Sequence, residues 1–221
     1  RTAVMILFRY NRSEKHRKEV APMMAIALND RTYYFKAGEF FADSDWIHKK
    51  MYHKNDFEII FCLENSFSLL INEQFVQLKA NDCLILPPET TIEGAYKTKQ
   101  SVRFYWLHFY SDWKEVSEKE DCFQKLLHTI KQQRTSSPVD HCFLPPLFNI
   151  KEPNFFIILM NQLLNVSNTY YYTTKMADSL TQAILIELGN QYLLDHSKKA
   201  EDHFSRVHQI SDWIRANMST E

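Results

Sequence analysis

Leu84-Ile85-Leu86-Pro87-Pro88 and, after a short polar stretch, Val102-Arg103-Phe104-Tyr105-Trp106-Leu107-His108-Phe109 decide how this chain is read. The first is an apolar run stopped by two prolines, which have no amide hydrogen to give a strand ladder. The second is dense in aromatic residues and alternates. Phe104, Trp106 and His108 share one face, and Arg103, Tyr105, Leu107 and Phe109 share the other. The first face joins aromatic surface to polar tips. That mixture suits stacking on a polar ring such as a sugar, with hydrogen bonds at its edge. It equally suits core packing of Trp106 with His108 as a satisfied core histidine.

Outward from these runs, Asn65-Ser66, Asn72-Glu73, Asn81-Asp82 and Pro87-Pro88-Glu89 punctuate the chain. Their spacing of roughly 7–9 residues is close to that of a sandwich or barrel. The chain has only three glycines (Gly38, Gly94 and Gly189), so its turns lean on Asn, Asp, Ser and Pro. Strands are predicted at Phe57–Leu63, Phe67–Ile71, Phe75–Leu78, Cys83–Leu86 and Ser101–Phe109, with others at Thr32–Phe35, Glu39–Asp43 and His141–Leu144. Residues 24–110 read as an all-β unit, and Phe67–Leu78 as a hairpin about Asn72-Glu73.

The period then changes. Phe123, Leu126, Leu127 and Ile130 stand at helical spacing within the polar stretch 112–134. From Asn154 a helix is predicted, with Phe155, Ile158, Leu159, Gln162, Leu163 and Val166 on one face and a break over Asn165–Thr174. Ala177, Leu180, Ile184, Leu188 and Tyr192 mark a second amphipathic stripe, and Met176, Ala183, Ile186 and Leu193 add apolar surface beside it. Two apolar flanks fit either packing onto the chain's own sheet or a dimer seam. After the charged stretch Asp195–Asp202, Phe204, Val207, Ile210 and Ile214 begin one more helix, so the chain is expected to be a piece of a longer protein.

Bulk composition narrows the function. Hydrophobic content of 45% over 221 residues supports a folded core. A net charge of -1 lacks the basic excess of a nucleic-acid grip. The mildly basic run Arg9–Glu19 reads as a solvated helix or arm. Four scattered cysteines, without Cys-x-x-Cys, suit free thiols in a reducing compartment. No stretch approaches the ~20 apolar residues of a membrane span, so a cytoplasmic protein without membrane contact is expected.

A metal site in a barrel needs two or three histidines and a carboxylate on one point. His53, Glu58, Glu93 and His108 are the available donors, without a His-x-His, since Asn55 stands two past His53. His53 reads as a polar residue at a strand start. His196, His203 and His208 read as surface histidines. No phosphate cradle or nucleophile elbow occurs. No catalytic residue, metal or cofactor is assigned.

Ala37-Gly38-Glu39, Trp46-Ile47-His48, Phe57-Glu58-Ile59-Ile60, Leu78-Lys79-Ala80-Asn81-Asp82, Leu84–Pro88 and Trp106-Leu107-His108-Phe109 together resemble the N-terminal region of AraC-type bacterial transcription regulators. The last three stretches are the more specific ones. Looser similarity runs through Phe143-Leu144-Pro145 to Ile210-Ser211-Asp212-Trp213-Ile214, which looks like the first helix of the family's DNA-binding domain. The resemblance departs at Asn65 and Asn81, where relatives often have glycine, and at Ile92-Glu93-Gly94, where a histidine is expected after the prolines.

The resemblance implies an α+β fold, a double-stranded β-helix (a cupin or jelly-roll barrel) followed by C-terminal helices. Residues 1–22 lie outside it, as an N-terminal extension of unknown role; the resemblance implies an effector-binding barrel over 23–145, a helical dimerisation region and linker over 146–203, and the start of a truncated helix-turn-helix domain over 204–221. The implied function is binding a small effector, a sugar first, inside a hollow barrel, with no catalysis. Trp106 would stack on it. His108, Lys50 and Glu58 would bond it, with Phe104 beside them. Relatives often carry arginine at Lys50, whose planar fork an ammonium lacks. Leu159, Leu163, Leu180, Ile184 and Leu188 would join two copies, and DNA would be met only through the missing domain. The alternative is a metal-dependent cupin enzyme, an isomerase or oxygenase.

Overall fold

The computed structural model describes residues 23–117, 123–124, 126 and 140–198, with side chains to Asp195. The expectations for 1–22, 127–134 and 204–221 lie outside the described residues. Among those described, the elements in order are β1 (Met23–Ala27), β2 (Tyr33–Ala42), β3 (Met51–His53), β4 (Phe57–Glu64), β5 (Ser66–Ile71), β6 (Gln74–Lys79), β7 (Asp82–Leu86), β8 (Thr90–Gly94), β9 (Val102–Tyr110), β10 (Trp113–Val116), β11 (His141–Leu144), β12 (Leu147–Asn149), α1 (Asn154–Ser167) and α2 (Lys175–Lys198).

Two antiparallel sheets face each other, with strand orders β12-β7-β4-β9-β2 and β3-β8-β5-β6. From β2 to β9 the chain crosses repeatedly between them, with the hairpin β5–β6 as the one step within a sheet. That winding is the double-stranded β-helix, or jelly roll, of the cupin barrel. A third sheet, β10-β1-β11, extends the assembly.

Alternation along the strands builds two cores from one sheet. Ile60 and Cys62 of β4, Leu84 and Leu86 of β7, and Val102 and Phe104 of β9 face Phe67, Leu69, Ile71, Val76, Leu78 and Ile92 inside the barrel. Phe57, Ile59, Phe61, Tyr105, Leu107 and Phe109 face outward onto α1 and α2. Each such side chain, fully buried, contributes about 1.5–3 kcal/mol.

The turns carry the left-handed residues that glycine would otherwise supply. Asn65 (φ 61), Asn72 (φ 46) and Asn81 (φ 70) all adopt positive φ. Asparagine tolerates this region because its short amide bonds locally. Asn72-Glu73, both at positive φ, closes the two-residue hairpin between β5 and β6.

Four expectations are corrected. Thr32–Phe35 and Glu39–Asp43 form one strand, β2, broken only by a register shift between Tyr34 and Lys36 against β9. The buried face of α1 is Phe156, Met160, Leu163 and Val166, whereas Phe155 and Ile158 are exposed. The five residues assigned to a dimer seam pack inside the chain. Leu163, Ile184 and Leu188 are fully buried in the chain's own core, and Leu159 and Leu180 are partly buried against it. Finally, the barrel is not hollow throughout, because the twelve side chains of the inner core fill one end.

Candidate functional site

The polar end of the barrel is made by the strands that make its apolar end. Stepping by two along β9 from Val102 passes Phe104, Trp106 and His108, and along β4 from Cys62 it passes Ile60 and Glu58. Glu58 lies opposite His108 in register. His53 ends β3, and Asp56 sits in the short connection to β4.

These four residues close into a ring. Asp56 Oδ2 lies 2.7 Å from His108 Nδ1 and 3.2 Å from His53 Nδ1. On the far side, Glu58 Oε2 lies 2.9 Å from His53 Nε2, and Glu58 Oε1 lies 3.3 Å from His108 Nε2. The His53–Glu58 approach is a charge contact and not an aligned hydrogen bond: neither Nε2 nor Oε2 finds a hydrogen-bond partner among the described residues. His53, Glu58 and His108 are almost fully buried, while the Asp56 side chain keeps 18% of its surface exposed.

The charges respond to this geometry. Burial alone would lower the His53 pKa, but Glu58 first and Asp56 second outweigh it and hold the imidazole above its ordinary value. Burial would raise the Glu58 carboxyl, yet His108 and His53 bring it down to about 2. Asp56 is lowered in the same way, the two histidines overcoming desolvation. His48 is within electrostatic reach of Glu58 and His53. Burial dominates there and lowers its pKa, while its Nδ1 meets Lys49 O at 2.7 Å.

Beside the ring lies Trp106. Its indole meets the His108 ring edge-on at 5.5 Å between centroids. Gly38 stands opposite it on β2, where an added Cβ would lie 2.5 Å from Trp106 Cζ2. The glycine is therefore what lets the indole lie flat on the strand. The shift in β2 makes Phe35 the extra residue, sending Tyr34 toward the helices and Lys36 toward the indole. Lys36 Nζ lies 5.8 Å from the Trp106 ring centroid.

The residues named from sequence thus separate. Trp106, His108 and Glu58 come together. Phe104 does not join them. It is 3% exposed and packs on Phe40 and Phe67 at centroid distances of 4.9 and 5.0 Å, so it belongs to the filled end. Lys50 is exposed and pairs with Glu93 at 3.4 Å, which occupies its charge on the surface. Lys36 is the cation beside Trp106 instead. His53, expected at a strand start, ends β3 instead and is buried. Sequence reasoning missed Asp56, Lys36 and the role of Gly38. The one available signal was that Asp56 lies three past His53 and two before Glu58. His53, Asp56 and His108 each place one ligand atom within 4.8 Å of the others, so this donor set fits a cation better than the spacing in sequence implied.

No protein-family profile matches this sequence. No curated protein matches it. Solved structures do. One is a predicted oxalate decarboxylase from Thermotoga maritima, 15% identical with a TM-score of 0.32, covering 34% of this chain and 64% of that one. Another is the cupin domain of Schizosaccharomyces pombe Cnp3, 16% identical with a TM-score of 0.32, covering 55% of this chain and 80% of that one. A third is ToxT from Vibrio cholerae O395 bound to (E)-4-(8-methylnaphthalen-1-yl)but-3-enoic acid, 10% identical with a TM-score of 0.36, covering 85% of this chain and 67% of that one. The chain spans less than two thirds of the length of the Thermotoga protein. Likeness at this level assigns neither activity nor ligand.

Proposed function

We propose that this chain is the effector-sensing region of an AraC-type bacterial transcription regulator, taking a small polar metabolite, a sugar first, at the mouth of its barrel. The observation that carries the reading is the indole of Trp106 laid against Gly38, with Lys36 on one side and the buried His108 on the other. A flat aromatic face beside hydrogen-bonding groups binds the apolar face of a sugar ring while bonding its rim. The order of stretches resembling that family supports the regulatory role.

Binding at the mouth has a route to the helices. The extra residue in β2 leaves the Tyr34 amide free to donate to Asp178 Oδ1 at 2.9 Å, in the first turn of α2. Gln182 of the same helix donates to Asn29 O at 3.1 Å. On β9, the residue before Trp106 is Tyr105, whose hydroxyl donates to Asn161 Oδ1 of α1 at 2.9 Å. An effector that favours one setting of Lys36 and Trp106 therefore biases both helices, and through them a DNA-binding domain joined to α2. Two copies would meet through the exposed outer face of α1, at Phe155 and Ile158.

A thermal-shift titration with a sugar panel tests this, because a ligand specific for the folded state raises the melting temperature. Trp106→Ala should weaken the responding ligand about tenfold, the ~1.4 kcal/mol expected of a lost stacking face. Unchanged affinity would remove Trp106 from the site. The second reading, a metal-dependent cupin isomerase or oxygenase, is favoured by the convergence of His53, Asp56 and His108. It requires turnover of a substrate, which the sensor does not.

A further inference from the structure

We propose that the effector is a glycoside with a flat, apolar aglycone, whose sugar ring sits at Trp106 and whose aglycone lies on a shelf made by Tyr33, Phe35 and Tyr110. This rests on the sensor reading and adds to it the class of molecule sensed. The shelf is continuous with the mouth. On β9, Trp106, His108 and Tyr110 follow at steps of two and so share the inner face of the sheet. Tyr33 lies opposite Tyr110 in register. The rings form an unbroken series. Between centroids, Trp106 and His108 are 5.5 Å apart, His108 and Phe35 6.4 Å, Phe35 and Tyr110 5.4 Å, and Tyr110 and Tyr33 5.0 Å.

The shelf is open. Tyr33 is 45% exposed and Phe35 48%, so neither ring is buried in the core. Contiguous apolar surface left in water marks interaction and ligand sites, whereas single exposed residues need no explanation. Its position is set by the extra residue in β2. Consecutive strand residues point to opposite faces, yet Phe35 and Lys36 both reach the inner side. Phe35 meets His108 and Tyr110, and Lys36 Nζ lies 5.3 Å from the Phe35 ring and 5.8 Å from the Trp106 ring. Only a register shift of the kind seen between Tyr34 and Lys36 allows this. One irregularity thus presents the shelf and sets an ammonium between it and the indole. From there the ammonium can donate to the oxygen that joins sugar to aglycone.

The two aromatic surfaces differ, and the difference selects the ligand. Trp106 has Lys36 on one side and His108, held by Asp56 and Glu58, on the other. Sugar hydroxyls find bonding groups there. The shelf offers ring faces and two phenol hydroxyls. The nearest charges along the chain, Arg31 and Asp112, pair with each other at 3.0 Å. A second sugar ring on this exposed shelf would bond mostly to water and gain little, whereas a flat apolar ring gains by leaving water. His108 meets Trp106 and Phe35 edge-on, at 78° and 86°, and so stands as a step between the two surfaces. From Trp106 to Tyr110 the strand advances about 13 Å, at ~3.3 Å per residue. A hexose and a one-ring aglycone span that length together.

The test titrates the full chain, by isothermal calorimetry, with the methyl and the 4-nitrophenyl glycoside of each sugar in the panel. For the responding sugar, the 4-nitrophenyl glycoside should bind about tenfold more tightly, the upper range for one added aromatic stack. Phe35→Ser and Tyr33→Ser, both at exposed positions, should abolish that advantage. They should leave the methyl glycoside affinity and the melting temperature of the free protein nearly unchanged. Trp106→Ala should weaken both glycosides alike. Equal binding of the two glycosides would overturn the shelf, as would an advantage that survives both serine substitutions. A large drop in melting temperature of the free serine variants would also overturn it, by making these rings part of the core. Tighter binding of a disaccharide of the same sugar than of its 4-nitrophenyl glycoside would replace the aglycone with a second sugar ring. Failure of every glycoside, methyl and 4-nitrophenyl alike, would take down the sugar-sensing reading and this proposal with it, whereas equal binding takes down this proposal alone.

Discussion

The barrel has two ends built from the same strands, and they have opposite characters. On β9, Val102 and Phe104 lie in a fully apolar core, Trp106, two residues further, is partly buried against that core, and His108, four further, lies in the polar ring. On β4, Cys62 and Ile60 belong to the first end and Glu58 to the second. The filled end makes the mouth possible. A carboxylate and two imidazoles stay buried at fixed distances only because the strands beneath them are locked by close packing. The barrel's stability and its polar groups thus occupy separate halves of the same strands, four residues apart on β9 between Phe104 and His108.

The largest effect is expected at the filled end. Phe104→Ala removes a ring held by Phe40, Trp46 and Phe67. Urea unfolding should register a loss of about 3–5 kcal/mol. A loss under ~1 kcal/mol would mean that this end has room for a guest, and the division between the halves would collapse.

A smaller effect is expected at the boundary. Gly38→Ala sets a methyl against the Trp106 indole. The clash should cost about 1–3 kcal/mol and swing the indole away, so effector affinity falls together with a shift in tryptophan emission. If stability drops while affinity holds, the indole is a wall of the core and not part of the mouth.

The architecture was largely legible in the sequence because it is written in local terms. Asn65, Asn72 and Asn81 marked the turns, and Pro87-Pro88 the end of β7. The mouth was only half legible. Alternation along β9 put Trp106 and His108 on one face, since that rule involves one strand. Asp56 and Lys36 depend on more. Asp56 reaches both histidines by the path of a three-residue connection, and Lys36 faces Trp106 only because one extra residue reverses the alternation of β2. No period in the sequence records an extra residue. The helices failed differently. Phe155 to Met160 is apolar at every position, so period could not choose between the face with Ile158 and the face with Phe156 and Met160. The stripe Leu180, Ile184 and Leu188 was correctly periodic, but periodicity gives a buried face without saying whose surface buries it.

The mildest effect is expected at a turn whose two residues belong neither to the filled core nor to the ring. Asn72-Glu73 closes the β5–β6 hairpin with φ of 46 and 69. This turn wants glycine second, and a residue with a Cβ is strained there by roughly 1 kcal/mol. Glu73→Gly relieves that strain but gives the unfolded chain more freedom, so the net gain should be only about 0.5 kcal/mol. Chemical denaturation should show the midpoint rise with the slope unchanged, and effector affinity should stay where it is. Should the same change weaken the effector, the hairpin at the edge of the second sheet would be coupled to the mouth, and the two ends could no longer be treated as separate.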